Sequence, residues 1–127
     1  MINLKTAEEI KRIKEAWVVA AETHHGLEKL IEPGISTGEL DRWAKDFIQG
    51  KGGVPAFLDY MGFPASLCIS INEQVIHGIP GTRTLKEGDI VSIDLGVELE
   101  GFYSDMAATY PVGSISNELE TLVRVTR

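Results

Sequence analysis

Asp94 and Asp105 are the residues of this sequence whose type and spacing best suit metal binding. They lie in two runs, 89–97 and 102–112, whose alternation of apolar and polar residues predicts two strands joined by a short loop. If the loop is even in length, strand parity places both carboxylates on the face opposite the apolar one. Opposed β-carbons in a strand pair lie about 4.5–5.5 Å apart, so two carboxylates there repel each other. A divalent cation held by oxygen ligands relieves that repulsion.

The length of the loop decides how close the two aspartates come. A four-residue loop at Glu98–Gly101 places Asp94 directly opposite Asp105, and a two-residue loop at Glu100–Gly101 makes them diagonal neighbours. An odd loop separates them. Two aspartates alone also fit a solvated hairpin, since acidic residues are common on exposed strands. Two ligands are also fewer than a transition metal needs, so a metal site here must recruit others.

His77 is the next candidate for chemistry. It lies in the segment IHGIP, where a neighbouring glycine and a proline favour a rigid loop that a ligand can approach closely. Such a histidine can hydrogen-bond a substrate or act as an acid or a base. A plain surface-loop histidine is the alternative. His24 and His25, late in the first predicted helix, are assigned no chemistry.

A cluster of aromatic residues and one cysteine forms a candidate apolar pocket. Sulfur–aromatic contacts make such a cluster a suitable site for a methionine side chain, and ordinary core packing is the alternative. Its members are Phe57, Tyr60, Phe63 and Cys68.

Helices and one further strand must position these residues. Thr6 followed by Glu9 has capping-box spacing and predicts a helix to about Lys29, with Ile10, Ile13, Trp17, Ala20, Ala21 and Leu27 as its apolar stripe. Ser36 or Thr37 caps a second helix, whose buried stripe is Leu40, Trp43, Ala44, Phe47 and Ile48. Residues 67–71 predict a short strand, residues 57–64 a loop or irregular edge, and residues 116–127 a third helix.

Composition excludes several classes of partner. The chain has 127 residues and a formal net charge of −7 without a basic stripe, which argues against nucleic acid. Its single cysteine allows no intramolecular disulfide and favours a reducing compartment. There is no signal-peptide pattern, and no apolar run approaches the roughly 20 residues that span a membrane. The sequence therefore predicts a soluble cytoplasmic protein without a membrane partner.

Three motifs taken in order resemble the type I methionine aminopeptidases. They are NEQVIHGIPG at 72–81, LKEGDIVSIDLG at 85–96, and GFYSD at 101–105 followed by TYPVG at 109–113. Lys5-Thr6 with Glu8-Glu9-Ile10, and Pro33-Gly34-Ile35-Ser36-Thr37 followed by Leu40, extend the resemblance across the chain. The resemblance implies an α/β (α+β) fold: the N-terminal half of a pita-bread fold, an antiparallel sheet with helices on one face. It also implies that residues 1–127 are a single domain, half of the catalytic domain.

The resemblance further implies a metallopeptidase that removes the initiator methionine from nascent polypeptides, with two divalent ions of the Co, Mn, Fe or Zn type. Asp94 resembles the bidentate ligand of one metal and Asp105 the bridging ligand. His77 resembles the histidine that contacts the scissile peptide and stabilises the tetrahedral intermediate. The wall of the methionine pocket corresponds to Tyr60, Phe63 and Cys68, with Phe57 at its rim.

Length is where the sequence departs from the family. Members are about twice as long, and their remaining ligands, a histidine and two glutamates, come from the C-terminal half; Glu118 and Glu120 do not match those positions. We therefore expect a truncated chain with an incomplete site, weak metal binding and little turnover. One alternative is a non-catalytic module that binds methionine peptides or self-associates as a homodimer replacing the missing half. A prolidase-type peptidase is another, and it fits less well because the loop after His77 is short.

Overall fold

The computed structural model describes residues 2–126, which contain three α-helices and four β-strands. The helices are α1 (Ala7–Glu28), α2 (Thr37–Gly50) and α3 (Asn117–Val125). The strands are β1 (Val54–Pro55), β2 (Leu67–Ile71), β3 (Ile90–Leu99) and β4 (Phe102–Pro111). A 3₁₀ turn, Tyr60–Gly62, lies between β1 and β2.

Both long helices begin at the capping boxes that their sequences predict. The Thr6 hydroxyl accepts from the Glu9 backbone N–H at 3.2 Å, and the Glu9 carboxylate accepts from the Thr6 backbone N–H at 2.7 Å. Ser36 and Glu39 make the same reciprocal pair at the start of α2. Each box satisfies backbone donors that a helix N-terminus otherwise leaves unpaired.

The sheet is built around β3. β4 pairs antiparallel with β3 along its whole length, so β2 and the short β1, which also pair antiparallel with β3, share its other edge. The β3–β4 turn consists of Glu100 and Gly101, with φ of 50° and 85°. Two positive φ values are typical of a type I′ turn, whose twist suits a two-residue hairpin. The predicted strands are confirmed, and the shorter of the predicted even loops is the one observed.

One face of the sheet forms the core with α1 and α2. Because successive strand residues alternate between faces, Val91, Ile93, Leu95 and Val97 of β3 all point to this side. The fold class predicted from the sequence, an α/β structure with an antiparallel sheet and helices on one face, is confirmed. The largest fully buried side chains are Leu27, Leu40, Ile48, Leu67, Ile69, Ile71, Leu85, Val91, Ile93, Leu95, Val97 and Val112.

The face of α1 that packs on the sheet matches the predicted stripe only in part, at Ala20 and Leu27. Trp17 is 49% exposed and Ile10 is also exposed, whereas the buried face is Ala16, Val19, Ala20, Thr23, His24 and Leu27. Apolar residues occur on more than one side of this helix, and the side with small alanines allows the closer approach to the sheet. The predicted stripe of α2 is confirmed at Leu40, Ala44 and Ile48, whereas Trp43 and Phe47 are partly buried and stack with ring centroids 5.0 Å apart.

The third helix begins at the predicted cap, where the Ser116 hydroxyl accepts from the backbone N–H of Leu119. It ends at Val125, earlier than predicted; Arg127 lies outside the described residues. No residue of α3 is buried. Among residues 2–126, no helix has the length and apolarity needed to cross a membrane.

Candidate metal centre

The register of β3 and β4 determines how the two aspartates meet. Asp94 lies opposite Ala107, and Asp105 lies opposite Gly96. With the two-residue turn, the aspartates are therefore diagonal neighbours on one face, the second of the close arrangements that the sequence allows. We call this the open face, because the helices pack on the other side of the sheet. It also carries Cys68 of β2, which pairs with Asp94 of β3.

Asp94 is partly buried, and its surroundings oppose its negative charge. Its Oδ1 is buried and has no hydrogen-bond partner among the described residues. Burial, and after it the charge of Asp105, raise the pKa of Asp94 to about 6, although His77 acts in the opposite direction. A buried oxygen with free lone pairs beside a second carboxylate is a donor set that suits a divalent cation. The two aspartates therefore fit a metal ion.

The described residues supply only part of a coordination shell. No cluster of three or more His, Cys, Asp or Glu side chains within residues 2–126 is arranged to hold a metal ion. Glu118 and Glu120 lie in the first turn of α3, both exposed. First-row divalent metals generally take four to six ligands, so Asp94 and Asp105 could supply only part of the ligands that such an ion needs.

His77 lies beside this pair, in a loop that is tied to β2. It adopts a left-handed conformation with φ of 57° and is exposed. The next residue, Gly78, accepts from the Ile69 backbone N–H at 2.8 Å and donates to the Ser70 hydroxyl at 3.2 Å. A β-carbon at Gly78 would lie 2.0 Å from the Ile69 carbonyl oxygen, so glycine is required for this approach.

A cleft of about 660 Å³ contains three of the predicted site residues, Cys68, His77 and Asp94. Burial, followed by the charges of Asp94 and Asp105, raises the pKa of the Cys68 thiol to about 11. The sulfur is therefore a neutral thiol at physiological pH and suits an apolar wall rather than a nucleophile.

The predicted aromatic residues do not line this cleft. Phe57 lies next to the aspartates, because its ring packs over Gly96, where an added β-carbon would be 2.8 Å from ring atom Cε1. Tyr60, in the 3₁₀ turn, is 67% exposed, and Phe63 closes that turn through its backbone N–H to the Tyr60 carbonyl oxygen. The structure thus brings Phe57, Cys68, His77 and both aspartates to one region and leaves Tyr60 largely in solvent.

His24, to which the sequence assigned no chemistry, also lines the cleft. Its ring contacts the Tyr110 hydroxyl and the Met106 carbonyl oxygen on β4. The sequence did contain a signal for its burial. His24 lies four residues after Ala20 and three before Leu27, which places it on the same face of α1 as these buried residues. Its two partners could not be found that way, since they lie 82 and 86 residues further along the chain.

With this geometry in view, the comparison with known proteins is direct. Residues 11–127 match the model of metallopeptidase family M24. The chain belongs to this family. It is 51% identical to methionine aminopeptidase 1 of Bacillus subtilis over 126 residues, which are 99% of this chain and 51% of that protein.

Two solved structures place the fold within the family. Methionine aminopeptidase from Rickettsia prowazekii superposes with a TM-score of 0.97 at 39% identity, covering 99% of this chain and 51% of that one. A Xaa-Pro dipeptidase from Bacillus anthracis superposes with a TM-score of 0.80 at 27% identity, covering 93% and 32%. The fold is thus the N-terminal half of the pita-bread fold of methionine aminopeptidases, and the resemblance found in the sequence is confirmed. The chain spans about half the length of the curated relatives it matches.

Proposed function

We propose that this chain provides the two-aspartate side of the metal centre of a methionyl aminopeptidase, which removes the initiator methionine from nascent polypeptides. The observation that carries the proposal is the buried, unpartnered Oδ1 of Asp94 beside Asp105 on the open face of the sheet. Membership of a metallopeptidase family and the similarity to methionine aminopeptidases support it.

In this proposal Asp94 and Asp105 would both act as ligands of two divalent ions of the Co, Mn, Fe or Zn type. Such ions, when bound, polarise a peptide carbonyl and lower the pKa of water. His77 contacts the scissile peptide and stabilises the tetrahedral intermediate from the rim of the cleft. The position of His77 beside Asp94 supports that role, because its exposed ring is free to approach a substrate.

The methionine side chain is proposed to pack against Phe57, Tyr60, Phe63 and Cys68. The neutral thiol of Cys68 and the Phe57 ring over Gly96 support this assignment, because both present apolar surface beside the aspartates. Tyr60 and Phe63 must act from the 3₁₀ turn.

The proposal treats residues 1–127 as one domain, half of a catalytic domain, located in the cytoplasm where nascent chains are made. Two carboxylates supply fewer ligands than the metals require. We therefore expect the 127-residue chain by itself to bind metal weakly and to have little turnover.

Calorimetric titration with Mn²⁺ or Co²⁺ tests the proposed centre. We expect weak binding that Asp94→Asn or Asp105→Asn abolishes and that Asp46→Asn, a change at an exposed position of α2, leaves unchanged. Binding that survives the loss of both aspartates would contradict the site. Submicromolar affinity, or steady release of methionine from a Met-Gly-Met peptide, would contradict the expectation that the 127 residues are insufficient.

A second candidate is a non-catalytic module that binds methionine peptides or self-associates. The observation that favours it is apolar surface near the cleft: Val75 and Ile76, which line it, and Leu122 and Val125 of α3 are all at least half exposed. Light scattering distinguishes the candidates, since a monomer at high concentration would exclude self-association. Calorimetric titration with Met-Gly-Met in metal-free buffer tests whether the chain binds methionine peptides.

A further inference from the structure

His24 connects α1 to β4 through both nitrogens of its ring. The side chain is 5% exposed, with Nδ1 2.8 Å from the Tyr110 hydroxyl and Nε2 3.0 Å from the Met106 carbonyl oxygen. A histidine buried in an apolar helix–sheet interface needs partners for its polar atoms, and this one finds both on the same strand. The contact therefore ties the C-terminal part of α1 to one stretch of β4.

The chemistry of the partners determines the protonation state of the ring. A carbonyl oxygen can only accept, so Nε2 must carry the proton and donate to Met106. In the neutral ring Nδ1 then accepts from the Tyr110 hydroxyl. Burial, the main influence, lowers the pKa of His24, in agreement with a neutral ring. The orientation of the ring is thus defined at both ends.

Met106, whose carbonyl oxygen accepts from His24, is the residue directly after Asp105. β4 pairs with β3, and α1 also packs against β4, with His24 bonded to the Met106 carbonyl oxygen. We propose that His24 is a positioning residue, which holds β4 so that the Asp105 carboxylate stays diagonal to Asp94 on the open face. The proposal rests on the proposed function only in treating Asp105 as a metal ligand. Groups that orient ligands from outside the coordination shell commonly change metal affinity by about 10–100-fold when removed.

Two substitutions of His24 separate the two hydrogen bonds. In His24→Gln the amide N–H₂ takes about the place of Nε2 and keeps a donor for Met106. In His24→Asn the shorter amide reaches only the position of Nδ1, so the bond to Met106 is lost. Tyr110→Phe keeps the ring and removes the hydroxyl. Val19→Ala, another buried position of α1, controls for loss of stability without touching β4 through a side-chain hydrogen bond.

The first measurement needs no metal. NMR cross-peaks between the Asp105 β-protons and the Gly96 α-protons report the position of the carboxylate over β3, because the two residues are paired. We expect wild-type cross-peaks in His24→Gln, Tyr110→Phe and Val19→Ala, and at least a twofold loss of intensity in His24→Asn. Unchanged cross-peaks in His24→Asn, or an equal loss in Val19→Ala, would overturn the proposal.

The second measurement separates this proposal from the proposed function. Titration with Mn²⁺ while the Asp94 and Asp105 signals are followed should broaden both in the wild-type protein, with an apparent Kd on the order of tenfold weaker in His24→Asn. If the wild-type signals do not broaden, the metal centre is wrong, while the metal-free cross-peaks still decide the role of His24. If His24→Asn binds Mn²⁺ as well as the wild type, the positioning role is wrong.

Discussion

The two faces of β3 differ in nearly every property, although neighbouring residues of one strand supply them. Ile93 and Leu95 on the inner face are fully buried against the helices. On the open face, burial and the charge of Asp105 raise the pKa of Asp94. The ring of Phe57 packs over Gly96 on the same face. Alternation along one strand therefore separates the residues that stabilise the fold from the aspartate that is proposed to bind metal.

Replacing an inner-face residue should have the largest effect on stability. Leu95→Ala removes a side chain with no exposed area, and we expect a loss of about 3 kcal/mol in the free energy of unfolding from lost burial and the remaining cavity. Urea denaturation followed by circular dichroism measures it. A loss below about 1 kcal/mol would show that the core repacks around this position and would weaken the contrast between the faces.

A methyl group on the open face tests whether that face is also closely packed. The β-carbon of Gly96→Ala would approach the Phe57 ring to 2.8 Å and the Ala56 β-carbon to 3.0 Å. We expect a loss of about 2 kcal/mol as Phe57 is displaced. Gly50→Ala is the control, because nothing lies within 4 Å of that position in α2. Equal stability of the two variants would mean that Phe57 does not depend on Gly96.

Asp94→Asn should increase the free energy of unfolding, whereas the two preceding substitutions should decrease it. Because burial and Asp105 raise the pKa of Asp94 from 3.8 to about 6, the folded state binds the proton more tightly than the unfolded state. Stability of the wild type therefore falls as the pH rises from about 4 through 6. In buffer without divalent metal at pH 8, the variant should be more stable by about 1 kcal/mol after allowance for solvent screening, with no gain at pH 4.

Urea denaturation at the two pH values measures this difference. Asp46→Asn, at an exposed position of α2, is the matched control for the loss of one carboxylate. A variant that is less stable than the wild type at pH 8 would show that the Asp94 charge is compensated without metal, so the two faces of β3 would differ less than their residues suggest.

The smallest effect is expected from the neutral polar pair of the open face. The Ser92 and Thr109 hydroxyls lie 2.8 Å apart across β3 and β4. A double-mutant cycle with Ser92→Ala and Thr109→Ala should give a coupling of about 0.5 kcal/mol, the usual size for a partly exposed cross-strand hydrogen bond. A coupling above about 2 kcal/mol would show that this face contributes more to stability than its exposure suggests.

Much of the local structure could be predicted from the sequence. The caps at Thr6 and Ser36 and the strand Leu67–Ile71 follow from hydrogen bonds or side-chain alternation within a few residues. The shared face of the two aspartates follows from the same alternation for any hairpin loop of even length. The motifs around His77, Asp94 and Asp105 were also sufficient to recognise the family to which the chain belongs.

Only the tertiary structure decided the rest. Side-chain parity could not distinguish a four-residue loop at residues 98–101 from a two-residue loop at residues 100–101. The structure has the two-residue type I′ turn at Glu100–Gly101, whose twist matches that of the paired strands. The buried face of α1 was selected by contact with a sheet formed much later in the chain. For the same reason His24 showed no function in the sequence: its role depends on Met106 and Tyr110, and no local pattern links residues so far apart.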